Sequence, residues 1–277
     1  MWPLRPHSGR HGALPVWQGV KALVTGAGRR IGRDMALYLA GRGFDLAVHC
    51  STSAAGAAQT VADIVAMGRN AVCLQADLLH EDQVETLIQR AAKALGGPLT
   101  LLVNNASIFE YDNITTATRS SWDRHIGSNL RAPFVLTQGF AAQAPKAAID
   151  AQGELVAQAL IVNMLDQRVL KPTPEFMTYA LAKMGLWALT RSTAQALAPH
   201  IRVNGIGPGP TMQGARQSAA HFAAQRKATI LQRGASSADI CKALGFLLDC
   251  PSVTGQMIAV DGGQHLVWQT QDVLGVE

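Results

Sequence analysis

Between Lys21 and Gly32 the chain reads KALVTGAGRRIG, an apolar run that stops at closely spaced glycines and restarts with helical periodicity. A continuous apolar run bounded by a turn reads as a buried strand. The glycines let the backbone turn sharply, because no Cβ stands in the way. The helix pattern continues through GRDMALYLAGRG, with Ile31, Met35, Tyr38 and Leu39 on one side and Gly41 and Gly43 at its end.

This strand–turn–helix unit repeats. FDLAVHC, NAVCLQADL and LTLLVNNAS read as the second to fourth strands, separated by the helices SAAGAAQTVADIVAMG and EDQVETLIQRAAKALGG. The second of these helices opens with acids and closes on Gly-Gly, as its dipole and its C-cap favour. The second half predicts a long helix over 118–144, the strand ALIVNML, a helix from Tyr179 to Ala198 and the strand HIRVNGIGPG. A helical, polar segment over 211–232, a helix over 237–249 and a last strand QMIAVDGG follow. Alternating strands and helices with short connections predict an α/β fold whose parallel sheet carries helices on both faces. No linker or shift in composition divides 19–277, which reads as a single domain, and residues 1–18 read as a loose arm.

Composition narrows the function classes. With 277 residues, 48% of them hydrophobic, the chain can bury a full core without disulfides. The net charge of +5 comes from scattered arginines with no basic run interleaved with aromatics, which speaks against nucleic acid and for attraction of small anions. Cys50, Cys73, Cys241 and Cys250 show no metal-ligand spacing, so no metal is expected. Cys50 and Cys73 sit at strand-like positions and read as core or near-core residues. No apolar run spans a bilayer, and the first eighteen residues lack the apolar core of a secretory signal, so a cytoplasmic location is expected.

Gly26, Gly28 and Gly32 would bring backbone N–H groups and a helix N-terminus to a pyrophosphate. An acid at the end of the second strand would grip the ribose hydroxyl of NAD. Here His49, Cys50, Ser51, Thr52 and Ser53 occupy that end. With no acid to repel a 2′-phosphate, Arg29, Arg30 and the hydroxyls favour NADPH.

Tyr179 and Lys183 stand one helical turn apart, a spacing that puts an acidifiable phenol beside an ammonium. Asp166 precedes the tyrosine where a neutral hydroxyl donor would be simpler. TGAGRRIG, NNAS, Tyr179-Ala-Leu-Ala-Lys183, VNGIGPG and VTGQMIAVDGG, in this order over nearly the whole chain, resemble the short-chain dehydrogenase/reductase family. The resemblance implies a doubly wound (Rossmann) sheet of about seven parallel strands. It also implies Tyr179 as catalytic acid/base and Lys183 as the group that holds the nicotinamide ribose and lowers the tyrosine pKa. Asn129 would anchor a proton path, Asp77 would meet the adenine, and Asn105 would lie beside the cofactor. Cofactor contacts are further implied for Ile31, His49, Leu78, Ala106, Ser107, Pro208 and Gly209, and the family's tetramers imply a homotetramer.

Three departures point to one branch. Arg30 and Ser107 stand where the family usually has glycine, and Asp166 stands where it has serine; all three resemble pteridine reductases and the related dihydromonapterin and dihydrofolate reductases of this fold. In that branch an aromatic at the place of Phe109 stacks on a pterin ring. The substrate set so implied is Arg30, Ser107, Phe109, Asp166, Tyr179 and Pro210, with a lid over 211–232 hinged near Gly209 and Pro210. Asp166 would supply or relay a proton to a ring nitrogen if burial keeps it protonated. The expected activity is NADPH-dependent reduction of a pterin-type substrate. The alternatives are a generic carbonyl or 3-oxoacyl reductase, and a non-catalytic NADP sensor. Without the family likeness, Phe109 reads as a core aromatic and Asp166 as a loop residue paired with Arg168.

Overall fold

A computed structural model describes residues 19–214 and 217–268. The expected arm, residues 215–216 of the expected lid and the tail after Trp268 lie outside the described residues.

Among the described residues, nine strands and eight α-helices follow in chain order. They are β1 (Lys21–Val24), α1 (Arg30–Gly41), β2 (Asp45–Cys50), α2 (Ala54–Ala66), β3 (Ala71–Gln75), α3 (Glu81–Ala94) and β4 (Leu101–Asn104). Then come α4 (Arg119–Ile126), α5 (Ala132–Gln143), β5 (Ala148–Ile149), β6 (Leu155–Val156), β7 (Ala159–Met164) and α6 (Met177–Leu197). The chain closes with β8 (Ile201–Pro208), α7 (Ala219–Lys227), α8 (Ser237–Asp249) and β9 (Met257–Val260). Seven strands form one parallel sheet in the order β3-β2-β1-β4-β7-β8-β9. The order reverses between β1 and β4, so the turns leaving their C-terminal ends open a crevice, the place where doubly wound sheets bind ligands.

Continuous apolar strands are explained by two cores. Ala22 and Val24 face one side with Met35, Leu39, Ile64 and Leu244 of α1, α2 and α8. Leu23 faces the other with Leu87, Ile88, Leu136 and Phe140 of α3 and α5. Both faces exclude water, and each fully buried Leu, Ile or Phe favours the folded state by about 1.5–3 kcal/mol.

Four details depart from the sequence reading. The helix expected over 118–144 is interrupted by a π-helical turn, Gly127–Arg131, in which Ala132 N–H reaches back to Gly127 O. Pro133 has no N–H for the carbonyl of Asn129 and its ring would crowd it, so the widened turn relieves a clash. Among the described residues of 211–232 only α7 is α-helical, anchored where Arg226 donates to Pro210 O at 2.9 Å and to Gly234 O at 3.0 Å. A short antiparallel pair, β5 with β6, was not expected. Cys73, read as near-core, is exposed, on the strand that forms the edge of the described sheet. No described helix is long and apolar enough to cross a membrane.

Candidate active site

The turn after β1 is sewn to the turn after β4. Thr25 Oγ1 accepts the N–H groups of Asn105 and Ala106, both at 2.9 Å, and Asn105 Nδ2 donates to Thr25 O at 2.8 Å. Gly32 lies so close to its neighbours that a Cβ there would stand 2.3 Å from Gly26 O and 2.5 Å from Asn105 Nδ2. Gly28 is closed in the same way by Ser53, and Gly26 needs a φ of +65°. This packing brings the backbone of the turn close to the crevice ahead of α1, which fits a pyrophosphate.

His49 does not reach that face. Gly26 N–H donates to its Nδ1 at 3.1 Å, so Nε2 carries the proton and donates to Ala76 O at 3.1 Å. The ring is buried, and burial pushes its pKa down to about 4. His49 is thus a neutral strut behind the loop that would hold the cofactor.

Beyond the strand ends lies a cleft of about 520 Å³ lined by Ser51, Thr52, Gln75, Ala76, Asp77, His80 and Gln83. It suits the adenosine half of a dinucleotide, and the end of β2 presents hydroxyls where an acid would exclude a 2′-phosphate. Arg29 is exposed at the mouth of the turn. Arg30, with a left-handed φ of +54°, instead extends over the crevice and donates to Gln213 O at 2.8 Å and Met212 O at 3.2 Å. A glycine would hold that φ without strain. Pro208 closes β8, and Gly209 packs so tightly on Asp261 that a Cβ would stand 2.6 Å from its Cα. The base of the expected lid is thus clamped at Gly209, and Pro210 is held by Arg226.

Helix α6 brings Tyr179 and Lys183 to the end of β7. Tyr179 Oη donates to Asp166 Oδ2 at 2.8 Å, and the Ser107 hydroxyl also bonds the phenol. Lys183 Nζ donates to Met164 O at 2.7 Å and sits 5.7 Å from the Tyr179 ring centroid. Burial pushes the Lys183 pKa down to about 8, opposed by the charge of Asp166. Burial also raises the Asp166 carboxyl, against the pull of Arg168. Tyr179 is held well above its ordinary value, first by burial and then by Asp166. The phenol is accordingly a neutral donor.

Phe109, 45% exposed, stands at the open end of this group. Its ring stacks on Phe176 at 4.4 Å between centroids and meets Tyr179 edge-on at 4.7 Å. Arg168 covers the other side of Phe176 at 4.9 Å. Asn129 holds the loop beneath, with Oδ1 accepting Ile108 N–H at 2.9 Å and Nδ2 donating to Ile108 O at 2.8 Å. The structure thus gathers Ser107, Phe109, Asn129, Asp166, Tyr179 and Lys183, while Leu78 and Ile31 lie at the cofactor end beside Asp77 and Gly32. Sequence reasoning missed Phe176, whose left-handed φ of +55° has no sequence signal in an aromatic residue. Chemically, a neutral phenol lies between a carboxyl and a hydroxyl, with an amine one turn away: two proton-holding groups beside an aromatic wall.

The family model described as short chain dehydrogenase matches residues 20–223. The chain belongs to this family. Among solved structures, the FolM alternative dihydrofolate reductase 1 from Brucella canis, complexed with NADP, is 40% identical with a TM-score of 0.84, covering 92% of this chain and 97% of that one. A short chain dehydrogenase from Burkholderia cenocepacia, also with NADP, is 32% identical with a TM-score of 0.80, covering 89% and 98%. A 3-oxoacyl-[acyl-carrier-protein] reductase from Staphylococcus aureus is 30% identical over 250 residues, covering 88% of this chain and 98% of the relative. The protein is an NADPH-dependent oxidoreductase, and the reductase's loops fit that cofactor as described above.

Proposed function

We propose that the reductase acts on a pterin-type substrate: a dihydropterin, dihydromonapterin or dihydrofolate. One observation carries this reading, the 2.8 Å hydrogen bond from Tyr179 to a carboxylate at position 166. Reduction of a ketone builds negative charge on oxygen, which a carboxylate would oppose. Reduction of a ring C=N adds hydrogen to carbon and a proton to nitrogen, and a carboxyl of raised pKa serves that nitrogen both as proton source and as acceptor for neighbouring N–H groups. NADPH supplies the hydride. Tyr179 holds a second proton, Lys183 fixes the tyrosine's side of the site, and Phe109, stacked on Phe176, adds aromatic surface against which a flat ring would pack. The likeness to the Brucella dihydrofolate reductase supports the same substrate class.

A second reading, 3-oxoacyl or carbonyl reduction, is supported by the Staphylococcus relative and by the Ser107 hydroxyl, which supplies from the β4 side the donor that position 166 lacks. NADPH oxidation with dihydrobiopterin, dihydromonapterin and dihydrofolate, beside ketones and a 3-oxoacyl thioester, separates the two. Turnover of ketones with none on any pterin would overturn the first reading. We take the chain from residue 19 as one reductase domain with a lid over 211–232. A homotetramer assembled through α4, α5 and α6 is supported by exposed Trp122, Phe134 and Leu181, and four free thiols suit a cytoplasmic enzyme.

A further inference from the structure

Helix α6 begins abruptly. Phe176 precedes it in a left-handed conformation and offers no side-chain cap, so the first N–H groups need a partner from elsewhere. Asp112, sixty-six positions away in sequence, provides it: Thr178 N–H donates to Asp112 Oδ1 at 3.0 Å and Met177 N–H to Asp112 O at 3.3 Å. The Thr178 hydroxyl donates to Asp112 Oδ2 and also meets His125 Nδ1 at 2.7 Å. Asp112, His125 and Thr178 are all buried.

The direction of this chain is fixed by its two ends. Glu110 N–H donates to His125 Nε2 at 3.1 Å, so that nitrogen must be bare. A neutral imidazole then carries its proton on Nδ1 and gives it to Thr178 Oγ1, which in turn gives its own to the carboxylate. Burial keeps His125 neutral and the bonds from Thr178 keep Asp112 ionised, its charge lying at the positive end of the α6 dipole. The Asp112 end of the chain lies on the loop that carries Ser107 and Phe109, while Thr178 immediately precedes Tyr179. The His125 ring also packs edge-on to Tyr179 at 6.0 Å.

We infer that Asp112, Thr178 and His125 are positioning residues that set Tyr179 against the Ser107–Phe109 loop. None of the three is placed to pass a proton to the substrate; each acts through Tyr179, so the inference rests on Tyr179 as proton donor and not on which substrate is reduced. A displacement of about 1 Å at a proton donor costs on the order of 100-fold in rate, which sets the scale of the effect.

The test uses three variants of the full chain. Asp112→Asn keeps the acceptor for Thr178 N–H but turns an NH₂ toward the hydroxyl. Thr178 must then donate to His125, whose proton moves to Nε2 and meets Glu110 N–H. Thr178→Val breaks the chain without changing shape, and Thr178→Ser restores it. NADPH oxidation is followed with dihydrobiopterin and, in parallel, an activated diketone, and the His125 ring is read by ¹⁵N NMR. Expected are an Nδ1-protonated ring in the wild type, a kcat at least ten-fold lower in Asp112→Asn and Thr178→Val with NADPH affinity within about three-fold, and near-wild-type kcat in Thr178→Ser. Lowered thermal stability with kcat unchanged in both variants would make the cluster merely structural and overturn the inference. An Nε2-protonated wild-type ring would overturn it too. The NMR readout is independent of substrate, so inactivity toward pterins would count only against the functional reading.

Discussion

Tyr179 donates a hydrogen bond to Asp166 across 2.8 Å, thirteen positions apart in sequence, one on the first turn of α6 and the other just past the end of β7. The carboxyl makes the phenol harder to ionise, whereas the bond from the phenol eases ionisation of the carboxyl. The carboxylate holds the phenol neutral, and the apolar surroundings raise the carboxyl itself. A site so arranged suits the pterin-type substrate proposed above, whose ring nitrogens need protons.

Replacing Asp166 with Asn should separate function from stability. Turnover with a dihydropterin should fall about 100-fold, the scale of a lost general acid, while NADPH affinity stays within a few-fold. Because the folded chain holds the Asp166 proton above the ordinary carboxyl range, stability is lost as pH rises through that window, and a neutral amide removes the loss. Thermal melts at pH 7 should therefore show the variant at a higher Tm than the wild type.

Tyr179→Phe should keep the packing of Tyr179 and remove its proton. A fall in kcat of about 1,000-fold or more is expected with intact fluorescence titration of NADPH. Substantial residual turnover would assign proton delivery to Asp166 alone.

His49 makes a pH signature. Its folded pKa of about 4 lies below the ordinary 6.5, so its contribution is present above pH 6.5 and is lost as pH falls toward 4. The full loss is on the order of 3 kcal/mol. His49→Gln, which can still accept from Gly26 N–H and donate to Ala76 O, should flatten that part of the urea-denaturation profile between pH 6.5 and 4.

Gly32→Ala places a methyl 2.3 Å from Gly26 O. The backbone of the turn must move, at about 1–3 kcal/mol, and NADPH affinity should drop at least ten-fold by titration. Arg30→Gly relaxes a φ of +54° and frees the two carbonyls of Met212 and Gln213. Its Tm should hold, while KM for NADPH or the pterin rises several-fold.

Phe109→Ala should raise KM for the pterin about ten-fold through loss of the stacking face and leave KM for NADPH unchanged. Equal KM values for the pterin would remove Phe109 from the substrate wall.

Much of this molecule is legible in one dimension. The seven sheet strands, the glycine turn and the helix of Tyr179 and Lys183 follow from local chemistry: apolar runs, Cβ-free turns and one-turn spacing. The absence of an acid after Val48 is equally local, and so is the choice of cofactor it implies. The interrupted helix was less so, although Pro133 carried its signal.

What tertiary structure decided concerns partners brought together from distant positions. His49 faces into the protein because Gly26 and Ala76 both reach its ring. Phe176 joins Phe109 only because the chain turns left-handed before α6. Asp112 caps a helix that starts sixty-five positions later, and the Asp166 carboxyl is raised by burial among residues of α6 and the loop beyond β7. Burial and hydrogen-bond direction are properties of the assembled neighbourhood, so the residue types were written in the sequence but their protonation was set by the fold.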